Sequence, residues 1–287
     1  MAQSPEFVAI GHVTKDLLPE GGHRLGGAVT YAAWTARSLG LSAAVLTSAP
    51  ANFGLDAQLP GIELSTVPSV AATTFENIYE GESRCQFLHS TADVLHVQHL
   101  PARWREATIA LLAPVAGELG SDWINVFPSA LVAATPQGWM RDVDEDGRVR
   151  SKPWQPSAQF LSGVDVLIFS EEDVDRSESE ILRYARMARI AAVTRGSGGA
   201  TVFVEGSSRH VPTTPVPVVD ATGAGDIFAA AFLVALNECG APFDAARFAN
   251  CAAALSVQGY GIEAIPSKSQ VEERLQQMDT AAGLGTT

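Results

Sequence analysis

The stretch Asp220-Ala221-Thr222-Gly223-Ala224-Gly225-Asp226, followed at once by an apolar run from Ile227 to Leu236, joins a glycine-rich turn, a helix start and a carboxylate. A helix whose first turn reads Gly-Ala-Gly presents unpaired backbone N–H groups with no bulky side chain in the way, at the positive end of the helix dipole. Such a turn is a seat for an anion. A carboxylate in the same turn would repel a phosphate unless a metal intervenes or the carboxylate acts as a base. The pairing therefore points to phosphoryl transfer. A plain strand-to-helix turn with a capping Asp accounts for Gly-x-Gly alone, but gives Asp226 no reason to share the seat.

Elements must hold this turn in place. Phe7 to Gly11 predicts a short buried strand, and Gly26 to Gly40 a helix, with Val29, Ala32, Ala33, Ala36 and Leu39 at helical spacing after Gly26-Gly27. Ala43 to Thr47 predicts a second buried strand. Thr73 to Tyr79 and Arg84 to His89 flank Glu80-Gly81-Glu82-Ser83, the pattern of a hairpin. Further strands are expected at Leu131–Thr135, Val164–Phe169, Ala191–Thr194 and Ala200–Val204, with helices at 178–189, 227–238 and 243–258 and a frayed tail over 281–287. Alternation of this kind favours a largely parallel sheet covered by helices, which binds ligands at the carboxyl ends of its strands.

The 287 residues, 46% of them apolar, can bury one large core. A net charge of −13 disfavours nucleic acid and anionic membrane as partners and requires local compensation around any anionic substrate. Cys85, Cys239 and Cys251 lack Cys-x-x-Cys spacing and lie in apolar surroundings, which predicts free thiols in a reducing compartment. The first residues lack the basic and apolar regions of a signal peptide, and no run of eighteen apolar residues occurs. A soluble, cytoplasmic protein is expected.

Asp-x-Thr-Gly-Ala-Gly-Asp resembles the C-terminal motif of the ribokinase/PfkB carbohydrate kinases, and other segments resemble that family in the same order. The resemblance implies an α/β fold: a ribokinase-like three-layer sandwich with a largely parallel central sheet, flanking helices and a small β lid. It implies a single domain over 1–287, its lid formed from about 12–25 and 70–90. It also implies Asp226 as the general base for a substrate hydroxyl, and Gly223, Ala224 and Gly225 as the anion hole. Gly11-His12-Val13-Thr14-Lys15-Asp16 and Arg24-Leu25-Gly26-Gly27-Ala28-Val29-Thr30-Tyr31 are similar to the family's acceptor segments. They make Asp16 a hydroxyl ligand, Gly26 and Gly27 close-approach glycines, and Tyr31 a departure from the family's Asn. A carboxylate that accepts two hydroxyl hydrogen bonds suits a polyol.

Val193-Thr194-Arg195-Gly196-Ser197-Gly198-Gly199 resembles the family's nucleotide segment, which assigns Thr194, Arg195, Gly196 and Gly198 to the donor, beside Gly225. Asn250 matches a helix position at the adenine pocket, with a solvent-facing polar residue as the alternative. Where relatives carry Asn-x-x-Glu, this chain has Ser170 and Asp173: Ser170 for phosphate, Asp173 for a magnesium-bound water, with Glu171 or Glu172 as alternatives. Asp220 and Thr222 match a monovalent-cation loop. The cofactors implied are therefore ATP and Mg2+, with K+ as a possible addition. The segment Ala134 to Asp142 and the Thr73–Asn77 hairpin resemble a compact branch that includes myo-inositol kinases. They bring Thr74, Glu76, Gln137 and Arg141 to the acceptor, where hairpin packing, or a pair of Arg141 with Asp142 or Asp144, is the alternative.

The reading reached is an ATP-dependent kinase for a hydroxyl of a small polyol or sugar, with myo-inositol among the candidates. The partners implied are the acceptor and ATP, with the chain a monomer or homodimer. Two other readings stay open: a nucleoside kinase, in which Tyr31 or Phe75 stacks a base, and a non-catalytic sugar- or nucleotide-binding regulator. No P-loop, complete Gly-x-Gly-x-x-Gly, Gly-x-Ser-x-Gly or His-Glu-x-x-His is present.

Overall fold

Runs that are apolar at almost every position can be buried only on both faces at once, as the middle strands of a covered parallel sheet. The computed structural model describes residues 3–80, 83–123 and 125–281, and uses these runs in that way. In chain order the strands are β1 (Phe7–Ile10), β2 (Thr14–Leu17), β3 (His23–Gly26), β4 (Ala43–Ala49), β5 (Glu63–Pro68), β6 (Thr73–Glu80), β7 (Ser83–Ser90) and β8 (Ile109–Leu112). They continue with β9 (Leu131–Ala134), β10 (Arg141–Val143), β11 (Val149–Ser151), β12 (Val166–Ser170), β13 (Ile190–Thr194), β14 (Ala200–Val204) and β15 (Ser207–Val211). The helices are α1 (Ala28–Ser38), α2 (Leu55–Gln58), α3 (Ala158–Ser162), α4 (Glu178–Ala185), α5 (Ala224–Cys239), α6 (Pro242–Ser256) and α7 (Lys268–Ala281). Gly81 and Glu82, at the expected hairpin tip, lie outside the described residues, as does the expected tail beyond residue 281.

The central sheet has the order β15-β14-β13-β12-β9-β8-β1-β4-β5. It is parallel from β5 to β13, and the β13–β14–β15 edge is antiparallel. One face carries a core built with α1, α5, α6 and α7, including Val29, Ala33, Phe228, Phe232, Ala249 and Val271. The other carries Trp104, Trp123, Trp154, Phe160 and Tyr184 under α3, α4 and short single-turn segments. The result is a three-layer sandwich. Ile227 to Leu236 are buried without interruption, so α5 is the interior helix of its layer. Alanines on α1 and α6 let those helices approach it closely, and Phe228 stacks on Phe232 at 5.9 Å. No helix among the described residues is long and apolar enough to cross a membrane.

A second sheet, of order β3-β2-β6-β7, rises from the carboxyl end of the first. Within residues 12–25, expected as part of the lid, lies the antiparallel ribbon β2–β3, which closes at Gly21 and Gly22 with φ of 91° and 81°. The ribbon pairs Asp16 with Arg24, and the parallel β2–β6 contact sets Asp16 beside Phe75. The hairpin β10–β11 abuts this sheet, where the Leu88 N–H donates to Gly147 O at 2.8 Å.

Parallel strands bring their carboxyl ends to one edge of the sheet, and a buried carboxylate organises that edge. Glu118, 1% exposed, accepts the backbone N–H groups of His12 (2.8 Å), Val115 (3.0 Å) and Ala116 (2.8 Å). It ties the loop after β1 to the turn after β8. Removing it strands buried donors, each costing about 1–3 kcal/mol. Glu118→Ala is therefore expected to destabilise the fold by about 3 kcal/mol or more, read as a lower urea midpoint at unchanged slope.

Candidate active site

The Asp220–Asp226 turn is shaped by glycine and by an aromatic ring. Gly223, the residue before α5, has φ +78°, and a Cβ there would meet Tyr31 Cδ1 at 2.4 Å, so its backbone lies flat on the Tyr31 ring. A Cβ on Gly225 would meet nothing within 4 Å, which leaves open space in front of the helix start. The first α-helical bond runs from the Ile227 N–H to Gly223 O at 2.8 Å, so the amides from Gly223 to Asp226 precede the internal ladder. Of these, the Ala224 N–H turns back to Ala221 O at 3.2 Å. Among the three expected anion-hole residues, Gly223 and Gly225 are those whose N–H groups are not drawn into that turn.

Asp226 keeps partial contact with the cleft but is otherwise enclosed by protein. Burial pushes its carboxyl up to about 7; Arg141 opposes the shift, and Asp173 and then Asp16 add to it. Four expected site residues from separate segments thus act on one another electrostatically. Asp173 is held by the Ser170 N–H at 2.9 Å and by Gln137 Nε2 at 3.1 Å, so it faces the cleft in a fixed orientation. Ser170 Oγ accepts the Glu172 N–H at 3.1 Å and closes the capping box. Arg141 Nη1 donates to Val115 O at 3.2 Å, and its guanidinium lies 5.7 Å from the centre of the Phe75 ring. Asp142 and Asp144, the alternative partners, are paired with Lys152 and Arg150.

At the other side of the cleft, Asp16 Oδ1 accepts the Thr14 hydroxyl at 2.8 Å. A Cβ on Gly26 would fall 2.2 Å from Asp16 Oδ2, so that glycine lets the carboxylate lie against the backbone. A Cβ on Gly27, φ +92°, would fall 2.4 Å from His12 O, and this glycine immediately precedes α1. Strand alternation separates the hairpin residues. Phe75, buried, shares a face with Asp16, whereas Thr74 and Glu76 project to the opposite face. Thr74 lines an outer groove with Lys15 and His23, and Glu76 pairs with His89 at 2.8 Å. Neither joins the Asp226 cluster. Asn77, next along the Phe75 face, accepts a hydrogen bond from Gln86 Nε2 at 3.0 Å.

Ser170 and Thr194 are register partners at the ends of β12 and β13. Arg195 Nη1 is held by Glu171 and Glu178, both at 2.8 Å. Gly196 (φ 52°), Gly198 and Gly199 turn the chain into β14. Asn250 is buried, its Nδ2 donating to Val211 O at 2.8 Å, so its amide braces the 211–213 segment instead of facing water. The cleft past Asn250, lined also by Thr213, Val216, Ala254 and Met278, has free room of about 10 Å³, no more than a single water.

Asp220 and Thr222 bind a side chain that sequence reasoning left without a role. Arg24 Nη1 donates to Asp220 Oδ2 at 2.7 Å and Nη2 to Thr222 Oγ1 at 2.6 Å. Burial opposes the Asp220 charge, yet the Thr222 hydrogen bonds and Arg24 outweigh it and hold the carboxyl below its usual range. Arg24 and Glu118 are the residues missed at the site, and Phe75, read only as an aromatic that could stack a base, instead lies under the Arg141 guanidinium. Two-residue alternation along β2, β3 and β6 was the available signal for Arg24 and Phe75; Glu118 carried none.

The acid form of Asp226 is favoured in the fold up to about pH 7, whereas the unfolded chain ionises near ~4. Stability that the acid form contributes is present below the unfolded value and is lost as pH rises through the folded one. Asp226→Asn is accordingly expected to raise Tm relative to the parent at pH 8 and to match it near pH 4, measured by calorimetry. An equal or lower Tm at pH 8 contradicts the assignment.

With this geometry in place, the comparisons take on meaning. The model of the pfkB family carbohydrate kinases matches residues 139–268. Ribokinase of Bacillus subtilis (strain 168) is 46% identical over 85 residues, 29% of this chain and 29% of that protein. The curated relatives that head the comparison are matched over 26 to 50% of their own length. Among solved structures, a pyrophosphate-dependent kinase in the ribokinase family, complexed with a pyrophosphate analog and myo-inositol, is similar. It has a TM-score of 0.77 and 24% identity, covering 93% of this chain and 99% of that one. Arabidopsis thaliana ribokinase complexed with ribose and ATP is similar with a TM-score of 0.75 and 18% identity, covering 96% and 99%. Residues 139–268, which carry the Asp220–Asp226 turn, are thus similar to the pfkB family carbohydrate kinases, within a chain that has the ribokinase fold over nearly its whole length.

Proposed function

We propose that the protein transfers the γ-phosphoryl group of ATP to a hydroxyl of a small polyol or sugar, with Asp226 as general base. The observation that carries the reading is Asp226 itself: a carboxylate raised to about 7, in the first turn of a helix with open amides, across a cleft from Asp16. A base whose pKa lies near the working pH combines a usable deprotonated fraction with a strong pull on the proton.

In this reading Asp16 accepts hydroxyl hydrogen bonds and aims the acceptor, and Asp226 takes the proton of the attacking hydroxyl as the bond to phosphorus forms. The Gly223 and Gly225 amides and Arg141 stabilise charge on the transferred group. The step balances: the acceptor oxygen gives its proton to Asp226 as it bonds to the γ-phosphorus, and the bond from that phosphorus to the β–γ bridging oxygen breaks to release ADP. Among the described residues no cluster of three or more His, Cys, Asp or Glu is arranged to hold a metal, and both Asp173 oxygens already accept hydrogen bonds. This donor set fits an ion carried mainly by the donor phosphates: Asp173 would hold Mg2+ through water, and the ion would supply neutralisation of phosphate charge. The small sheet β3-β2-β6-β7 serves as a lid that excludes water from the cleft.

A polyol is favoured over a nucleoside because the aromatic faces are taken: Gly223 covers Tyr31 and the Arg141 guanidinium lies over Phe75. A pyrophosphate donor is the second reading. It is supported by the narrowness of the cleft beyond Asn250, with free room of about 10 Å³.

The test is donor consumption with ATP or pyrophosphate across myo-inositol, other polyols, hexoses, pentoses and nucleosides, with Asp226→Asn beside the parent. Acceptor-dependent turnover is expected, about 10²–10⁴-fold lower in the variant, with kcat/KM of the parent falling about tenfold per pH unit below 7. Undiminished turnover in Asp226→Asn overturns the mechanism, and no turnover with any acceptor favours a binding regulator.

A further inference from the structure

A monovalent cation at Asp220 and Thr222, which the family resemblance implies, does not fit the side chains present. The Arg24 guanidinium lies on one carboxylate oxygen of Asp220 and on the Thr222 hydroxyl, and the other Asp220 oxygen accepts the Thr222 N–H at 2.9 Å. The pair is well enclosed, with side-chain exposures of 32% for Arg24 and 13% for Asp220. We infer that Arg24 is a positioning residue that acts as a built-in cation: its two-pronged grip sets the turn before α5, so the phosphoryl seat needs no monovalent metal ion. This rests on the kinase reading above.

Three independent features support the assignment. First, the geometry is that of a planar fork reaching two acceptors, which a lysine or a spherical ion does not reproduce. Second, Arg24 stands opposite Asp16 on the β2–β3 ribbon, so the strand that carries the acceptor's ligand is tied by one side chain to the turn that carries the base. The 196 residues between Arg24 and Asp220 are bridged at the site itself. Third, the surroundings leave no slack. Gly223 rests on the Tyr31 ring, and both the Tyr31 hydroxyl and Arg24 Nε are buried without a hydrogen-bond partner. A guanidinium that moved off Asp220 would leave a largely enclosed carboxylate without its compensating charge. The positive charge therefore has to be supplied, and here the chain supplies it.

The first measurement needs no variant. Tm of the parent protein is followed against KCl and tetramethylammonium chloride at equal ionic strength. A bound ion stabilises the native state in proportion to ln(1 + [ion]/Kd), so a K+ site would raise Tm with concentration. We expect the two salts to give the same Tm, and kcat and KM to be equal in both. The second measurement uses Arg24→Ala, with Arg24→Lys beside it. In Arg24→Ala we expect kcat to fall at least tenfold with a smaller change in acceptor KM, Tm to become K+-dependent, and added methylguanidinium to restore part of kcat. Arg24→Lys should keep the charge and lose the fork, with kcat between the two. The inference is overturned by a Tm of the parent that rises specifically with K+, by K+ activation of its kcat, or by Arg24→Ala with parental kcat. The Tm arm does not depend on turnover, so failure of the kinase reading and failure of the Arg24 assignment are told apart.

Discussion

Desolvated negative charge is the constraint from which the rest of the site follows. Asp16, Asp173 and Asp226 face one cleft, and their mutual repulsion, together with burial, keeps the Asp226 proton far more tightly bound than an exposed carboxyl would. Arg141 is the counterweight. It is itself held in place, by Val115 O and the Phe75 ring, and Val115 in turn belongs to the turn that Glu118 fixes. The electrostatics of Asp226 are thus linked, through Arg141 and Val115, to the buried Glu118 in the turn after β8.

Close backbone approach is the second constraint. Gly223 against Tyr31, Gly26 against Asp16 and Gly138 against Pro114 each leave no room for a Cβ, and each lies where a strand or helix end meets the cleft. The site is assembled by packing main chain onto side chains, which allows charged groups to sit deep without long tethers. Such an arrangement has a cost in stability above neutral pH, because the fold holds Asp226 more easily as an acid than as a carboxylate. Arg24 works against that cost at one point, by neutralising Asp220 so that it does not add a further charge to the cluster.

Much of this was legible in the residue pattern. The continuous apolar runs announced the parallel strands because two-sided burial permits no polar alternation, and the Thr-Gly-Ala-Gly-Asp turn announced a helix start with open space before it, because glycine puts no side chain there. The strands β2, β3, β5, β8, β10, β11 and β15 were not foreseen. Thr14 to Leu17 and His23 to Gly26 are polar, held by ribbon pairing rather than by an apolar face, and Ile109 to Leu112 is too short to stand out in its surroundings. Thr74 and Glu76 illustrate a different failure: the hairpin was read, but its facing was not, and a one-residue shift moves every side chain to the other side. Phe75 was the residue turned inward. Arg24 and Glu118 depend on partners more than a hundred residues away, or on a buried turn, and neither leaves a local pattern.

The central claim is that Asp226 is a carboxyl poised near neutrality by its surroundings, and its own titration tests that most directly. The carboxyl resonance of Asp226, labelled with ¹³C and assigned by difference against Asp226→Asn, should move with an apparent pKa of about 7, and the value should rise further in Arg141→Ala. A midpoint near ~4, unchanged by loss of Arg141, would contradict the account.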